Sequence, residues 1–263
     1  MTDRVALITG AGSGLGRATA AVLAQKGFRC VLVGRREAAI RSAAEEISAN
    51  GGTARAAVAD ITLPEDRTRI VEHCVTEFGR LDVLVNNAGI AHQAPLLAAT
   101  PEDWRRVMAT NLDAMFFLAQ AALPTMRAQK FGRIVNIGSV YGELGMNAQF
   151  YGTMLAPETT DGPTRQVSYH TSKGGVLNLT RDLAVAVAPW GVTVNCISPG
   201  MFLTEQSKAV VDPEVIAALT KMTPAGRFGD PPEIGHAVAF LASEEAAFIT
   251  GIDLKVDGGW SIW

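Results

Sequence analysis

The sequence of 263 residues lacks several features that would assign it to a class directly. No apolar stretch approaches the roughly 18 residues of a membrane-spanning helix. The first residues enter a strand-like run without the basic and apolar segments of a signal peptide. There is no long basic run, and the formal net charge is -3 at pH 7, which argues against nucleic acid or an anionic membrane as the main partner. We therefore expect a cytoplasmic protein whose partner is a small molecule.

Cysteine and histidine are also scarce. The chain has 3 cysteines, which lie far apart and show no Cys-x-x-Cys spacing, so a disulfide framework or a zinc site is not expected. The 4 histidines lack metal-ligand spacing too, and we expect no metal site. Only His92, which follows an Asn-Asn-Ala-Gly run, is considered for a contact with substrate.

The composition and the pattern of apolar residues predict one folded α/β domain. With 48% hydrophobic and 19% charged residues the chain is too apolar for a disordered polypeptide. Short continuous apolar runs alternate with alanine-rich helical stretches, which favours a parallel sheet covered by helices on both faces. No linker or repeat divides residues 1–263. The predicted strands are 5–9, 30–33, 56–59, 83–85, 134–137, 193–197 and 254–256, and the predicted helices are 15–26, 36–49, 65–78, 102–129, 168–188, 213–220 and 231–242.

A glycine-rich turn follows the first predicted strand. The usual dinucleotide fingerprint, with glycines at i, i+2 and i+5, does not fit, but glycines at i, i+4 and i+6 do: Gly10, Gly14 and Gly16, preceded by Thr9. Glycines permit a tight turn and a close approach of the backbone to a ligand, and the following helix N-terminus offers free N–H groups to a pyrophosphate. The turn therefore predicts a dinucleotide site.

Tyr169 and Lys173 are spaced i, i+4, which places them on one face of a helix. A free phenol has a pKa of about 10, and a nearby ammonium lowers that pKa by favouring the phenolate, so the pair suits proton transfer. Ser139 ends a predicted strand, where ligands bind in open α/β sheets, and its hydroxyl can donate to a substrate carbonyl. Tyr141 and Tyr151 lack a lysine four residues on, so neither replaces Tyr169.

Four motifs occur in an order that resembles the short-chain dehydrogenase/reductase family: Thr9 to Gly16, Asn86-Asn87-Ala88-Gly89, Tyr169-His170-Thr171-Ser172-Lys173 and Pro199-Gly200. The resemblance implies a doubly wound Rossmann domain with about seven parallel strands, and an NAD(P)-dependent enzyme acting on CH–OH groups as a homotetramer. The C-terminal segment is similar to 3-oxoacyl-carrier-protein reductases and to sugar and polyol dehydrogenases of the family. In tetrameric relatives such tails, here with Trp260 and Trp263, pack between subunits; packing within one subunit is the alternative.

The resemblance also implies the roles of individual residues. Asn111 would hold a water linked to Lys173, through its side chain or the local backbone, and Lys173 would also bond the nicotinamide ribose. Catalysis would thus involve Asn111, Ser139, Tyr169 and Lys173. The implied cofactor-binding residues are Gly10, Ser13, Gly14, Leu15, Gly16, Arg35, Asp60, Ile61, Asn87, Gly89, Tyr169, Lys173, Pro199, Gly200, Phe202 and Thr204.

The end of the second strand bears on the choice of cofactor. An acid about 20 residues past the glycines would accept from the ribose 2′-OH of NAD, whereas an arginine suits the 2′-phosphate of NADP. Here the strand runs into Gly34-Arg35-Arg36, with no acid until Glu37. NADP(H) is therefore favoured, with Arg35 as the better candidate by resemblance. NAD(H) stays open, since both arginines could be solvated residues at a helix start.

Residues 145–166 depart from the family pattern, because 30 positions separate Ser139 from Tyr169, far more than in typical members of the family. This insertion has no clear periodicity, and a long loop between catalytic residues is typically functional. We interpret it as a substrate lid or wall; a loop that serves only oligomer contacts, or has no role at the site, is the alternative. The predicted function is hydride transfer between NADP(H) and a small ketone or secondary alcohol, sugar- or polyol-like. The alternatives are a 3-oxoacyl thioester reductase and a catalytically silent nucleotide-binding protein.

Overall fold

The structure is a computed structural model that describes residues 3–147, 149, 151, 158–204 and 211–262. Its strands are β1 (Val5–Thr9), β2 (Arg29–Gly34), β3 (Thr53–Val58), β4 (Val83–Asn86), β5 (Ala94–Pro95), β6 (Gly132–Ile137), β7 (Thr164–Arg165), β8 (Val192–Pro199) and β9 (Asp253–Val256). Its helices are α1 (Gly14–Gln25), α2 (Glu37–Ala49), α3 (Pro64–Phe78), α4 (Pro101–Met108), α5 (Ala114–Gln129), α6 (Val167–Val187), α7 (Pro213–Met222) and α8 (Pro231–Leu241).

Seven of the strands form one parallel sheet in the order β3-β2-β1-β4-β6-β8-β9. The chain moves outward in one direction from β1 to β3 and then returns to β4 on the other side of β1. That reversal leaves a crevice beyond the carboxyl ends of β1 and β4, where open α/β sheets bind ligands. The predicted doubly wound fold is confirmed.

The central strands are buried along their whole length, which explains why they are continuous apolar runs. Every residue of β1, β4, β6 and β8 is buried. Alternate side chains of β1 enter two separate cores: Ala6 and Ile8 belong to the core that includes residues of α1 and α8, and Leu7 packs in the core with α3 and α5. Both sheet faces are therefore covered by helices.

Two features differ from the predicted elements. The helix predicted over 102–129 is three segments, because a π-helical turn at Ala109–Asp113 separates α4 from α5. A second, two-stranded antiparallel sheet pairs β5 with β7. Strand β7 is the end of the 145–166 insertion, so this sheet joins the insertion to the segment that follows β4.

A small apolar cluster lies beside the insertion. It is built on Tyr151, Val215 and Leu219, with Met146 and Trp260 among the partly buried residues packed against them. Trp260 thus packs against residues of its own subunit, and Trp263 lies outside the described residues. Across the described ranges, no helix is both long and apolar enough to cross a membrane.

Candidate active site

The turn between β1 and α1 has the backbone geometry that its glycines predict. Gly10 and Gly14 have φ angles of 66° and 54°, a region that residues with a side chain rarely adopt. A methyl group on Gly16 would overlap the Asn87 amide and the Gly10 carbonyl. Ser13 caps α1 without a side-chain hydrogen bond, and the first turn of the helix has no acid. The helix N-terminus is therefore suited to an anion.

Asn87 holds this turn against the end of β4. Its Nδ2 donates to the Thr9 carbonyl oxygen at 2.8 Å. The Thr9 hydroxyl in turn accepts from the backbone N–H groups of Asn87 and Ala88, both at 3.0 Å. Asn87, predicted as a cofactor contact, does line the cleft described below, but its side-chain amide supports the turn. This connection fixes the distance between the two strand ends that flank the crevice.

Both arginines after β2 lie at the same end of the crevice. Arg36 Nη2 donates to Ser13 Oγ at 3.0 Å, while Arg35 Nη1 lies 3.9 Å from Asp60 Oδ2. The Asp60 carboxylate also accepts from the Thr62 N–H and hydroxyl. The sequence ranked Arg35 above Arg36, yet Arg36 is the residue bonded to the glycine-rich turn. Two guanidinium groups thus follow β2, and such groups bind phosphates through charge-assisted hydrogen bonds.

A cleft of about 850 Å³ brings most of the predicted site together. It runs from the glycine-rich turn to the end of β6 and on to α6. Two predicted residues, Gly14 and Asn111, do not line it. Tyr141 and Gln166, which sequence reasoning did not place in the site, also line it, as do Met146 and Tyr151 of the insertion. The predicted residues in its lining are Gly10, Ser13, Leu15, Gly16, Arg35, Asp60, Ile61, Asn87, Gly89, Ser139, Tyr169, Lys173, Pro199, Gly200, Phe202 and Thr204.

Tyr169 and Lys173 occupy one face of α6 beside the end of β6. Lys173 Nζ lies 5.8 Å from the centre of the Tyr169 ring and donates to the Ile137 carbonyl oxygen at 2.7 Å. Burial lowers the pKa of Lys173 to about 8, because a charged ammonium is poorly solvated there. Burial also raises the pKa of Tyr169, an effect that a hydrogen bond with Ser139 partly opposes. The pKa of Tyr169 is thus raised, opposite to the lowering expected from the lysine, and the free protein holds Tyr169 as a neutral phenol.

Ser139 is positioned by the short 3₁₀ turn Val140–Gly142 that follows β6. Its backbone is extended, and its Oγ accepts from the Tyr141 N–H at 3.1 Å. That bond uses an acceptor site of the hydroxyl, so the O–H hydrogen is free to point to another oxygen. The side chain is 6% exposed and faces the same cleft as Tyr169.

Asn111 lies in the π-helical turn and is fully buried. Its Nδ2 donates to the Ile90 carbonyl oxygen at 2.9 Å and to Ser172 Oγ at 3.0 Å, and its Oδ1 accepts from the Ile90 N–H at 2.8 Å. The side chain therefore ties the Asn-Asn-Ala-Gly segment to α6. The family resemblance implies that either the Asn111 side chain or the nearby backbone holds a water linked to Lys173. The backbone is the better candidate, because both N–H groups of the side chain already donate to protein atoms.

The histidines do not contribute side chains to the cleft. His92 Nε2 lies 3.3 Å from Asp103 Oδ2, and His92 is absent from the cleft lining, so its predicted contact with substrate is not supported. His170 stacks on Tyr141 with ring centres 4.9 Å apart. Within the described ranges, no group of three or more His, Cys, Asp or Glu residues is arranged to hold a metal ion.

Comparison with known proteins agrees with this geometry. The family model described as Enoyl-(Acyl carrier protein) reductase matches residues 10–261. The chain is 40% identical to a 3-oxoacyl-[acyl-carrier-protein] reductase, FabG, of Vibrio cholerae, over 98% of each chain. It is 39% identical to a galactitol 2-dehydrogenase (L-tagatose-forming) of Cereibacter sphaeroides, over 98% of this chain and 95% of that protein.

A solved structure is similar as well. It is assigned as an NAD(P)-dependent gluconate 5-dehydrogenase from Beutenbergia cavernae and was solved with NADP bound at low occupancy. It matches with a TM-score of 0.84 and 38% identity, covering 98% of this chain and 96% of that one. The chain belongs to the short-chain dehydrogenase/reductase family. It is therefore an NAD(P)-dependent oxidoreductase that acts on CH–OH or keto groups, and the alternative of a catalytically silent binding protein is set aside.

Proposed function

We propose that this enzyme transfers hydride between NADP(H) and a small polyhydroxylated ketone or secondary alcohol, with the 145–166 insertion covering the substrate. The observation that carries the proposal is the position of the insertion. It leaves the fold after Ser139 and returns just before Tyr169, so both of its ends adjoin groups that face the reacting carbon. A segment anchored in this way is well placed to contact a substrate held between Ser139 and Tyr169.

The returning end of the insertion is held in place by backbone hydrogen bonds. Strand β7 pairs with β5, the Leu96 N–H donates to the Pro163 carbonyl oxygen at 3.0 Å, and the Leu97 N–H donates to the Asp161 carbonyl oxygen at 2.9 Å. These bonds give the insertion a fixed base on the segment after β4. A fixed base favours a wall or lid of the site over a loop that has no role there.

The sequence of the insertion offers many hydrogen-bonding groups that suit a hydroxylated substrate. Met146 and Tyr151 line the cleft and add apolar cover, whereas the polar residues counted here are not part of its lining. Three further residues counted as cover, at positions 150, 154 and 155, lie outside the described residues. The polar residues counted here are Asn147, Gln149, Glu158, Thr159, Thr160 and Asp161.

The catalytic roles follow from the donors around the cleft. Bound NADP(H) supplies or accepts the hydride. Tyr169 gives a proton to the carbonyl oxygen during reduction, or takes one from the alcohol during oxidation. Ser139 donates a hydrogen bond to the same oxygen. The positive charge of Lys173 would stabilise the phenolate that forms when Tyr169 gives up its proton, and its ammonium group would hold the nicotinamide ribose. Asn111 would position Lys173 through its hydrogen bond to the preceding residue of α6, Ser172.

NADP(H) is the favoured cofactor because two arginines stand at the end of β2. Arg36 is bonded to Ser13 and Arg35 is close to Asp60, and both line the cleft. A charged phosphate gains more from these groups than a ribose hydroxyl does. The resemblance further supports a homotetramer, and Phe117 on α5 and Val185 on α6 leave apolar surface 42% and 81% exposed for such contacts. Light scattering of the purified protein tests that assembly.

A 3-oxoacyl thioester reductase is the second candidate, favoured by the 40% identity to such an enzyme. The two candidates are separated by initial rates with NADPH, followed at 340 nm, on ketoses and on acetoacetyl thioesters. We expect higher kcat/KM on the ketoses, and a loss of that preference when residues 146–163 are replaced by a short Gly/Ser link. Faster thioester reduction by the wild type, or unchanged kcat/KM for every substrate after replacement, would overturn the proposal.

A further inference from the structure

Tyr151 is a buried residue of the insertion whose hydroxyl has no hydrogen-bond partner among the described residues. The side chain is 8% exposed and lines the same cleft as Ser139 and Tyr169. Its hydroxyl is buried and makes no hydrogen bond with the part of the chain that the structure describes. An unpaired buried hydroxyl destabilises a protein, so each such group calls for an explanation. In a ligand cleft, the missing partner can arrive with the ligand.

The ring of Tyr151 is anchored, so its hydroxyl has a defined position. The ring packs in the apolar cluster with Val215 and Leu219 of α7, which are both buried. Met146 and Trp260 pack against the same cluster. A polar group held on a rigid aromatic side chain discriminates between ligands well, because little conformational freedom is lost when it binds.

The surroundings of Tyr151 differ from those of the proton donor. Burial, and next the nearby Tyr169, raise the pKa of Tyr151, so its hydroxyl stays protonated over the whole working range of pH. Lys173 lies against the ring of Tyr169, not of Tyr151. Tyr151 is thus equipped to donate and accept hydrogen bonds while Tyr169 exchanges the proton.

We propose that the Tyr151 hydroxyl binds a hydroxyl group of the substrate and is the residue by which the insertion selects hydroxylated ketones. This inference rests on the proposed function. A site that contains a buried hydrogen-bonding group rejects an analogue lacking the matching group, because the protein group is then left unpaired again. One substrate would meet both Tyr151 and Tyr169, since both line the same cleft.

The test is Tyr151→Phe, assayed with a ketose that the wild type reduces and with ketones that lack one of its hydroxyl groups each. We expect kcat/KM for the ketose to fall at least tenfold, mainly through KM. For the one deoxygenated ketone that lacks the hydroxyl bound by Tyr151, kcat/KM should change less than twofold. The melting temperature without substrate should stay the same or rise, because the variant removes an unpaired hydroxyl and little else.

Thr193→Val is a matched control. Thr193 also carries a buried hydroxyl with no partner among the described residues, but it lies near the start of β8 and outside the cleft lining. Its removal should leave kcat/KM for every ketone unchanged.

The outcomes separate the two proposals. If the wild type prefers the ketose while Tyr151→Phe lowers kcat/KM for all ketones equally, or for none, the Tyr151 inference is wrong. The proposed function then stands. A lower melting temperature in Tyr151→Phe without substrate would also overturn it, since the hydroxyl would then have an internal partner. A wild type that prefers acetoacetyl thioesters overturns the proposed function, and the inference with it.

Discussion

Lys173 Nζ donates a 2.7 Å hydrogen bond to the carbonyl oxygen of Ile137, the last residue of β6. The bond joins the helix that carries Tyr169 to the strand that leads into Ser139. It also places an ammonium group at a position where the side chain is only 3% exposed. The fold therefore tolerates a buried charge in order to keep a cation beside the phenol. This arrangement has a measurable effect on stability.

The first prediction concerns the pH dependence of unfolding. The pKa of Lys173 is lowered from 10.5 to about 8. Between these two values the unfolded chain holds a proton that the native protein has released, so the free energy of unfolding should rise with pH across this window. Below pH 8 the cost of the buried charge is fully present, about 3 kcal/mol at 1.36 kcal/mol per pKa unit.

Lys173→Met isolates this contribution, because methionine keeps most of the volume without the charge. Urea unfolding of both proteins at pH 7 and pH 10 gives the difference in free energy of unfolding. We expect the free energy of unfolding of the wild type to increase relative to that of the variant as pH rises. A difference that is the same at both pH values would show that Lys173 does not lose its proton in the native protein within this range.

The second prediction concerns the proton donor. Tyr169→Phe should abolish turnover, since it removes the group that exchanges the proton, while the affinity for NADPH should stay within about twofold because the rest of the cleft is intact. Fluorescence titration with NADPH and rates at 340 nm measure the two effects. Substantial residual turnover would mean that another group is the acid, and Tyr151 would be the first to examine.

Much of this architecture was predictable from the sequence because it depends on local patterns. Continuous apolar runs marked the central strands, and the glycines after β1 marked the turn whose left-handed residues they supply. Strands β5 and β7 were not predictable, since each has two residues and their pairing depends on contacts remote in sequence. The π-helical turn around Asn111 was also missed, because the apolar periodicity continues through it.

In the candidate site, too, local patterns were predictable and contacts remote in sequence were not. Tyr169, Lys173 and Ser139 were found from a helical spacing and a strand end, and the cleft does bring them together. Tyr151 was considered as a rival proton donor and as one of several residues that could cover a substrate. It was not singled out, because a loop without periodicity gives no sign of which of its side chains are buried. Likewise, nothing in two adjacent arginines indicates which one turns toward Ser13, since that depends on how α2 begins.

The third prediction concerns the two arginines. Arg35→Ala and Arg36→Ala should each reduce the preference for NADPH over NADH by about 1.5 to 3 kcal/mol, the range expected for a charge-assisted bond to phosphate. Arg41→Ala is the control, because Arg41 pairs with Glu37 on the surface of α2 and lies outside the cleft lining. Values of kcat/KM with both cofactors test this. A wild type with higher kcat/KM for NADH would show that the arginines do not select the cofactor, and Glu37 would then be examined as a ribose ligand.

The last prediction concerns the close packing at the glycine-rich turn. A methyl group on Gly16 would overlap the Gly10 carbonyl and the Asn87 amide. The amide is fixed by its 2.8 Å bond to the Thr9 carbonyl oxygen, so relief requires the turn itself to move. We expect Gly16→Ala to lower the free energy of unfolding by about 1 to 3 kcal/mol and to weaken NADPH binding at least tenfold, because the displaced backbone is the part that approaches the pyrophosphate.

Gly145→Ala provides the comparison, since a methyl group there would meet no atom within 4 Å and its φ is not positive. Its free energy of unfolding should stay within about 0.5 kcal/mol of the wild type. Urea unfolding and NADPH titration of the two variants side by side decide the question. If Gly16→Ala binds NADPH as tightly as Gly145→Ala does, the turn accommodates a methyl group despite its close contacts with Asn87. The anion site at the start of α1 would then have to be reassigned.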